Sequence, residues 1–221
     1  MSLLQMQNVS YEYSENHKKV LSGVDMDFEA GKFYAIVGNS GAGKSTLLSL
    51  LAGLDEPDSG KIIVKGKDIK ETGYGNHRRY NISLVFQNYN LIDYMTPMEN
   101  ITLVDRQASS EVLVSLGLAE EDIKRNVMKL SGGQQQRVAI GRALVSKAPV
   151  ILADEPTGNL DEKTAADIVD ILKKAAHEDG KCVIVVTHSK DLANAADRVL
   201  NLKNRRSEEH TSELQSHQPI S

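Results

Sequence analysis

The chain has 221 residues, of which 40% are hydrophobic and 25% charged, and its formal net charge is −4. That length supports one domain, or one domain with a subdomain, and the apolar share is ample for a core. The mild acidity gives no sign of a nucleic-acid partner, and neither a signal peptide nor an apolar run long enough to span a bilayer is present. The single cysteine, Cys182, lies in the apolar run CVIVV. It reads as a core residue that can close no internal disulfide, which points to a reducing cytoplasm.

In chain order, residues 3–9 and 24–28 alternate weakly between apolar and polar and predict an antiparallel edge sheet, with a polar turn, SENHKK, between them. Residues 33–37 (FYAIV) suit a short buried strand. A loop of small residues follows, then a helical pattern with Leu47, Leu50, Leu51 and Leu54 on one face. The loop reads Gly38-Asn39-Ser40-Gly41-Ala42-Gly43-Lys44-Ser45-Thr46 and fits G-x-x-x-x-G-K-[ST]. Glycines let backbone N–H groups face phosphate oxygens with no Cβ in the way, and the following helix aims its positive end at the same place. Lys44 is placed to reach the β- and γ-phosphates and the Ser45 hydroxyl to hold Mg²⁺. Strand, loop and helix together predict a bound nucleoside triphosphate.

Residues 54–60 read as a turn, and residues 61–64 and 82–86 as strands joined by a polar link around 72–77. Residues 87–97 are loop-like, and 98–118 read as short helices. A turn at 130–133 leads into a helix over 134–146. Apolar strands at 149–153 and 182–186 flank an amphipathic helix over 161–177. A helix over 189–196 and a strand over 199–202 follow. Fully apolar strands alternating with helices predict an α/β fold, its mainly parallel sheet covered on both faces.

Two further stretches carry chemistry. The strand VILA ends in Asp154 and Glu155, at the sheet edge where ligands of such folds sit. Asp154 fits a Mg²⁺-side carboxylate, and Glu155 a general base for the attacking water. The stretch Leu130-Ser131-Gly132-Gly133-Gln134-Gln135-Gln136-Arg137 opens a helix and offers a second phosphate-binding N-terminus. One nucleotide does not need both within a single chain. The economical arrangement is a two-fold dimer in which this element of one copy covers the nucleotide held by the other.

Taken together, these residues resemble the ABC-type ATPases, the nucleotide-binding subunits of ABC transporters, with LSGGQQQR as the most specific match. The resemblance covers nearly all of residues 3–204. It implies a P-loop NTPase fold over residues 1–205, with an N-terminal antiparallel β subdomain and a small helical subdomain over about 88–147. It implies ATP and Mg²⁺ as ligands and ATP hydrolysis as the reaction. The residues from Gly38 to Thr46 resemble the family's phosphate loop, and Gln87 resembles the glutamine that contacts Mg²⁺ and the water. Ser131, Gly132, Gly133 and Gln134 resemble the signature that reaches the γ-phosphate across the dimer. Asp154 and Glu155 match the metal carboxylate and the catalytic glutamate. Asn159-Leu160-Asp161 resembles a dimer-interface loop, and His188 the γ-phosphate histidine. Tyr13, with Tyr11 competing, matches the aromatic that stacks on adenine.

The strings FQNYNLIDYMTPMENI and ADEPTGNLD resemble the subgroup that serves lipoprotein release, macrolide and antimicrobial-peptide export, and cell division. That implies a homodimer at the cytoplasmic face of a membrane, docked to permease subunits through the loop from Asn90 to Pro97. A signalling or cell-division complex that moves no substrate is the alternative, and a soluble ATPase of translation or DNA repair a more distant one. Residues 206–221 change character, and 206–216 resemble a translated DNA-sequencing adapter. A non-native, structureless tail is therefore expected there.

Overall fold

The computed structural model describes residues 2–13, 18–158, 160–203 and 206–210. Two sheets carry the fold. The first is antiparallel, in the order β2 (Lys18–Glu29), β1 (Ser2–Tyr13), β4 (Ser59–Val64), β5 (Lys67–Asp68). The second runs β10 (Arg206–His210), β9 (Arg198–Lys203), β3 (Phe33–Val37), β8 (Cys182–Val186), β7 (Val150–Asp154), β6 (Ile82–Val85). The strands from β9 to β6 are mutually parallel, so their carboxyl ends share one edge.

The apolar strands alternate between two cores because successive side chains leave a strand on opposite faces. Tyr34, Ile36, Val150, Leu152, Ile184 and Val186 join the core that holds α1 (Lys44–Leu51) and the antiparallel sheet. Phe33, Ala35, Ile151, Ala153, Val183 and Val185 join the other. That core is covered by α7 (Gly132–Val145), α8 (Glu162–His177) and α9 (Lys190–Ala195). Burial on both faces explains why these strands read as unbroken apolar runs rather than as alternation.

A third cluster, with Ile101, Leu113, Leu116, Leu118, Ile123, Leu130 and Val138, sits among short helices. These are α4 (Pro97–Thr102), α5 (Ser110–Ser115) and α6 (Glu120–Ile123), and Val138, Leu144 and Val145 of α7 join or pack against the cluster. Thr96 starts α4 through a capping box with Glu99, and Pro97 occupies the first turn, where a missing N–H costs nothing.

Three differences from the sequence reading have physical causes. The link around residues 72–77 is helical, as α2 (Ile69–Thr72) and α3 (Tyr74–Tyr80). Its polar sequence hides one fully buried side chain, His77, whose Nε2–H donates to the Leu51 carbonyl at 2.8 Å. Helix α7 starts at Gly132 rather than at residue 134. The Ser131 hydroxyl and Gln134 side chain cap each other's backbone N–H groups and offset the low helix propensity of two glycines. The expectation of a structureless tail from residue 206 does not hold for Arg206–His210. That segment pairs antiparallel with β9 from Arg206↔Lys203 to His210↔Val199. A free strand edge takes a backbone partner through main-chain hydrogen bonds, whatever its side chains.

Candidate active site

The carboxyl ends of β3, β6, β7 and β8 deliver four loops to one edge of the sheet. The loop after β3 and the Asp154 end of β7 are separated by β8 alone, a lateral gap of about 10 Å at ordinary strand spacing. A cleft of about 470 Å³ lies there, lined by Tyr13, Lys19, Val20, Ser40, Gly41, Gly43, Lys44, Ser45, Thr46, Gln87, Asp154, Glu155, Val186 and His188.

The glycine loop has two faces. Gly41 and Gly43 take φ of 75° and 96°, the region that L side chains avoid. A Cβ on Gly43 would come within 2.7 Å of Val20 Cγ1, and one on Gly38 within 2.8 Å of the Leu202 carbonyl. Gly43 is also the N-cap of α1, so the helix's free N–H groups open toward the cleft. Lys44 Nζ donates to the carbonyls of Gly38 (2.9 Å) and Asn39 (3.3 Å), which holds the ammonium inside the curl of the loop. Gly38, Asn39 and Ala42 line a second hollow of about 800 Å³ on the other side, with Thr187, His188 and Asn201.

Asp154 lies at the floor of the cleft. Burial raises its carboxyl above the ordinary range, with Glu155 adding to the rise. A hydrogen bond from the Ser45 hydroxyl and the nearby Lys44 charge oppose it. Among the described residues no three His, Cys, Asp or Glu side chains gather as a metal cage. Asp154, Ser45 and Gln87 line one cleft, a donor set that suits a hard cation shared with phosphate oxygens.

Glu155 is the most tightly determined side chain of the site. Its φ is +46°, uncommon for a residue with a Cβ, and its N–H donates to the Val186 carbonyl at 2.9 Å. One carboxylate oxygen accepts from His188 Nδ1–H at 2.8 Å. The other accepts from the Thr187 hydroxyl at 3.1 Å and the His188 backbone N–H at 3.3 Å. His188 itself is largely exposed and able to face a ligand on its other side.

Tyr13 lines the cleft and shares a 2.6 Å hydrogen bond with the Thr46 hydroxyl. Tyr11 meets it edge-on at 5.5 Å and packs toward the core instead. Ser131 and Gly132 are exposed at the start of α7. A Cβ on Gly132 would lie 2.9 Å from the Tyr89 hydroxyl, and one on Gly133 3.0 Å from Thr164. Among the described residues the turn from Ser131 to Gln134 lines neither hollow. Gln134 caps α7 and donates to Asp122 Oδ2 at 2.7 Å. The structure therefore gathers the residues from Gly38 to Thr46 with Tyr13, Gln87, Asp154, Glu155 and His188, and leaves the second glycine turn apart. Of the expected interface loop, Asn159 lies outside the described residues. The sequence reading missed Lys19 and Val20, for which the weak strand pattern of β2 gave no signal.

Comparison with known proteins agrees with this fold. The sequence profile of the ABC transporter family matches residues 21–158. An uncharacterized ABC transporter ATP-binding protein of Bacillus subtilis, YclH, is 44% identical over 207 residues, covering 89% of this chain and 92% of that protein. The macrolide export ATP-binding/permease protein MacB of Hyphomonas neptunium is 38% identical over 91% of this chain, which spans 33% of it. Among solved structures, the dimer of the cassette MJ0796 from Methanocaldococcus jannaschii superposes with a TM-score of 0.87 at 35% identity, covering 96% of this chain and 99% of that one. A dimeric post-hydrolysis state of the same cassette, bound to ADP and Pi, gives 0.85 at 36% identity.

Proposed function

The chain belongs to the ABC transporter family of ATP-binding proteins, and on that premise we propose that it is the ATP-hydrolysing subunit that powers a membrane exporter. The observation that carries the reading is the single cleft holding Lys44, Ser45, Gln87, Asp154, Glu155 and His188.

In this reading the loop amides and Lys44 bind the β- and γ-phosphates and neutralise charge that builds on the transferring group. Ser45, Asp154 and Gln87 would hold Mg²⁺, which would supply Lewis-acid withdrawal of charge from the phosphate oxygens. Glu155 takes the proton of the attacking water, and His188 steadies that carboxylate and faces the γ-phosphate. Tyr13 stacks on adenine, and its hydroxyl leaves Thr46 when the base arrives. The catalysis is positioning and electrostatics, with no covalent enzyme intermediate.

The separation of the Ser131-Gly132-Gly133 turn from the cleft supports a homodimer in which each copy closes the other's site, and the dimeric relative is in keeping with that. ATP then holds the two copies together, and its hydrolysis releases them. The permease docks on the loop between Gln87 and Pro97, where Tyr94 is 80% exposed. Among the described residues no helix is long and apolar enough to cross a membrane. In this reading the membrane path belongs to the permease, and the ATPase works at its cytoplasmic face. The cargo is of the macrolide, antimicrobial-peptide or lipoprotein type, a reading supported by the likeness to the macrolide exporter.

Phosphate release from Mg-ATP by the purified chain tests the proposal. The wild type should turn over and Lys44→Ala should not; equal rates would overturn the phosphate-loop assignment.

A further inference from the structure

The loop that carries Gln87 is built on two successive left-handed residues, Tyr89 (φ 58°) and Asn90 (φ 49°). Asparagine visits that region readily, but tyrosine does not, so something outside the loop must hold it there. The holding group is on α7. Arg142 Nη1 donates to the Asn90 carbonyl at 2.7 Å and Nη2 to the Tyr89 carbonyl at 3.2 Å. Two fork N–H groups on two adjacent carbonyls fix the direction of both peptide planes. Among the described residues no carboxylate pairs with Arg142, and burial holds its guanidinium below the ordinary arginine range. Its charge is thus directed at the loop backbone alone.

Tyr89 also touches the other end of the same helix. Its hydroxyl lies over Gly132, where a Cβ would meet it at 2.9 Å. Gly132 and Arg142 are ten residues apart, about 15 Å along an α-helix. Tyr89 therefore bridges the first turn of α7, which carries the Ser131 element, and the guanidinium near its end. Gln87 lies two residues before this bridge and lines the nucleotide cleft.

We propose that Arg142 is a positioning residue for hydrolysis, setting Gln87 at the cleft through the Tyr89 and Asn90 carbonyls and locking that loop to α7. The proposal rests on the reading of Gln87 as a group that contacts the water and the metal. Loss of the fork leaves Lys44 and the glycine loop intact, so nucleotide affinity is kept while the chemical step slows.

The test is a double-mutant cycle on steady-state phosphate release, with R142A, Q87A and the pair, together with urea midpoints. R142A should lower kcat about tenfold and change KM for ATP by less than about twofold, because misplacing a positioned group slows the step without removing binding contacts. R142K, with one donor group in place of a fork, should recover part of the loss. In the Q87A background R142A should cost nothing more. Losses that multiply in the pair, or an unchanged kcat in folded R142A, would overturn the proposal. Turnover of the wild type in the same series establishes the ATPase reading separately, so an unchanged variant counts against Arg142 alone. Should R142A fail to fold, R142K carries the same cycle.

Discussion

Replacing Glu155 by Gln isolates the chemistry of the site from its architecture. The carboxylate receives three donors, from the His188 ring, the Thr187 hydroxyl and the His188 backbone. A glutamine of the same size can turn its oxygen toward the two donors that share one carboxylate oxygen. Its amide then faces His188 Nδ1, which accepts in the other tautomer. All three charge-assisted bonds become neutral ones, a stability loss of about 1–3 kcal/mol. The backbone at φ +46° suits glutamine no worse than glutamate. ATP contacts from the glycine loop are untouched. The base, however, is gone. A positioned general base contributes about 10²–10⁴-fold, or about 3–5 kcal/mol of barrier. Phosphate release should therefore fall by at least about a hundredfold, while equilibrium binding of a fluorescent ATP analogue stays within about threefold of wild type. A glutamine variant that turns over at nearly the wild-type rate would refute Glu155 as the base and leave its strained backbone unexplained.

Other substitutions probe the remaining parts. Gly43→Ala places a Cβ at φ 96° against Val20; it should cost about 2 kcal/mol in urea unfolding and abolish ATP binding, and a wild-type midpoint would contradict the loop geometry. Tyr13→Ala should raise KM for ATP at least about fivefold and Tyr13→Phe change it little, because the ring rather than the hydroxyl faces the base; the same rise in Tyr11→Ala, with none in Tyr13→Ala, would reassign the stack. His77 is held below its ordinary value by burial, with Arg78 adding to the effect. The unfolded chain therefore takes up this proton first. Its contribution to stability is complete above about pH 6.5 and is lost as the pH falls below that. The urea midpoint should drop between pH 7.5 and pH 5.5, and less so in His77→Gln; equal slopes in both chains would show that His77 does not couple folding to pH.

The parts legible in the sequence were those whose pattern is local. The glycine loop, the unbroken apolar strands β7 and β8 and the apolar stripe of α8 each carry their fold instructions within a few residues. Helix α3 was not legible, because its case rests on His77 reaching the Leu51 carbonyl 26 residues away. The first half of β2 was lost in a lysine-rich start whose partners lie across β1, as Tyr11↔Leu21 and Glu12↔Lys19. In the site, Asp154 and Glu155 declared themselves at a strand end. The Tyr89–Arg142 contact could not, since left-handed backbone at a tyrosine leaves no mark in residue order.

In the proposed dimer, each nucleotide cleft is completed only by a second copy. Sedimentation of the Glu155→Gln chain with and without Mg-ATP measures it directly. The predicted result is a monomer without nucleotide and a dimer with it, and Ser131→Arg in the same chain should return the dimer to monomer. A Glu155→Gln chain that binds ATP and stays monomeric would contradict the paired arrangement.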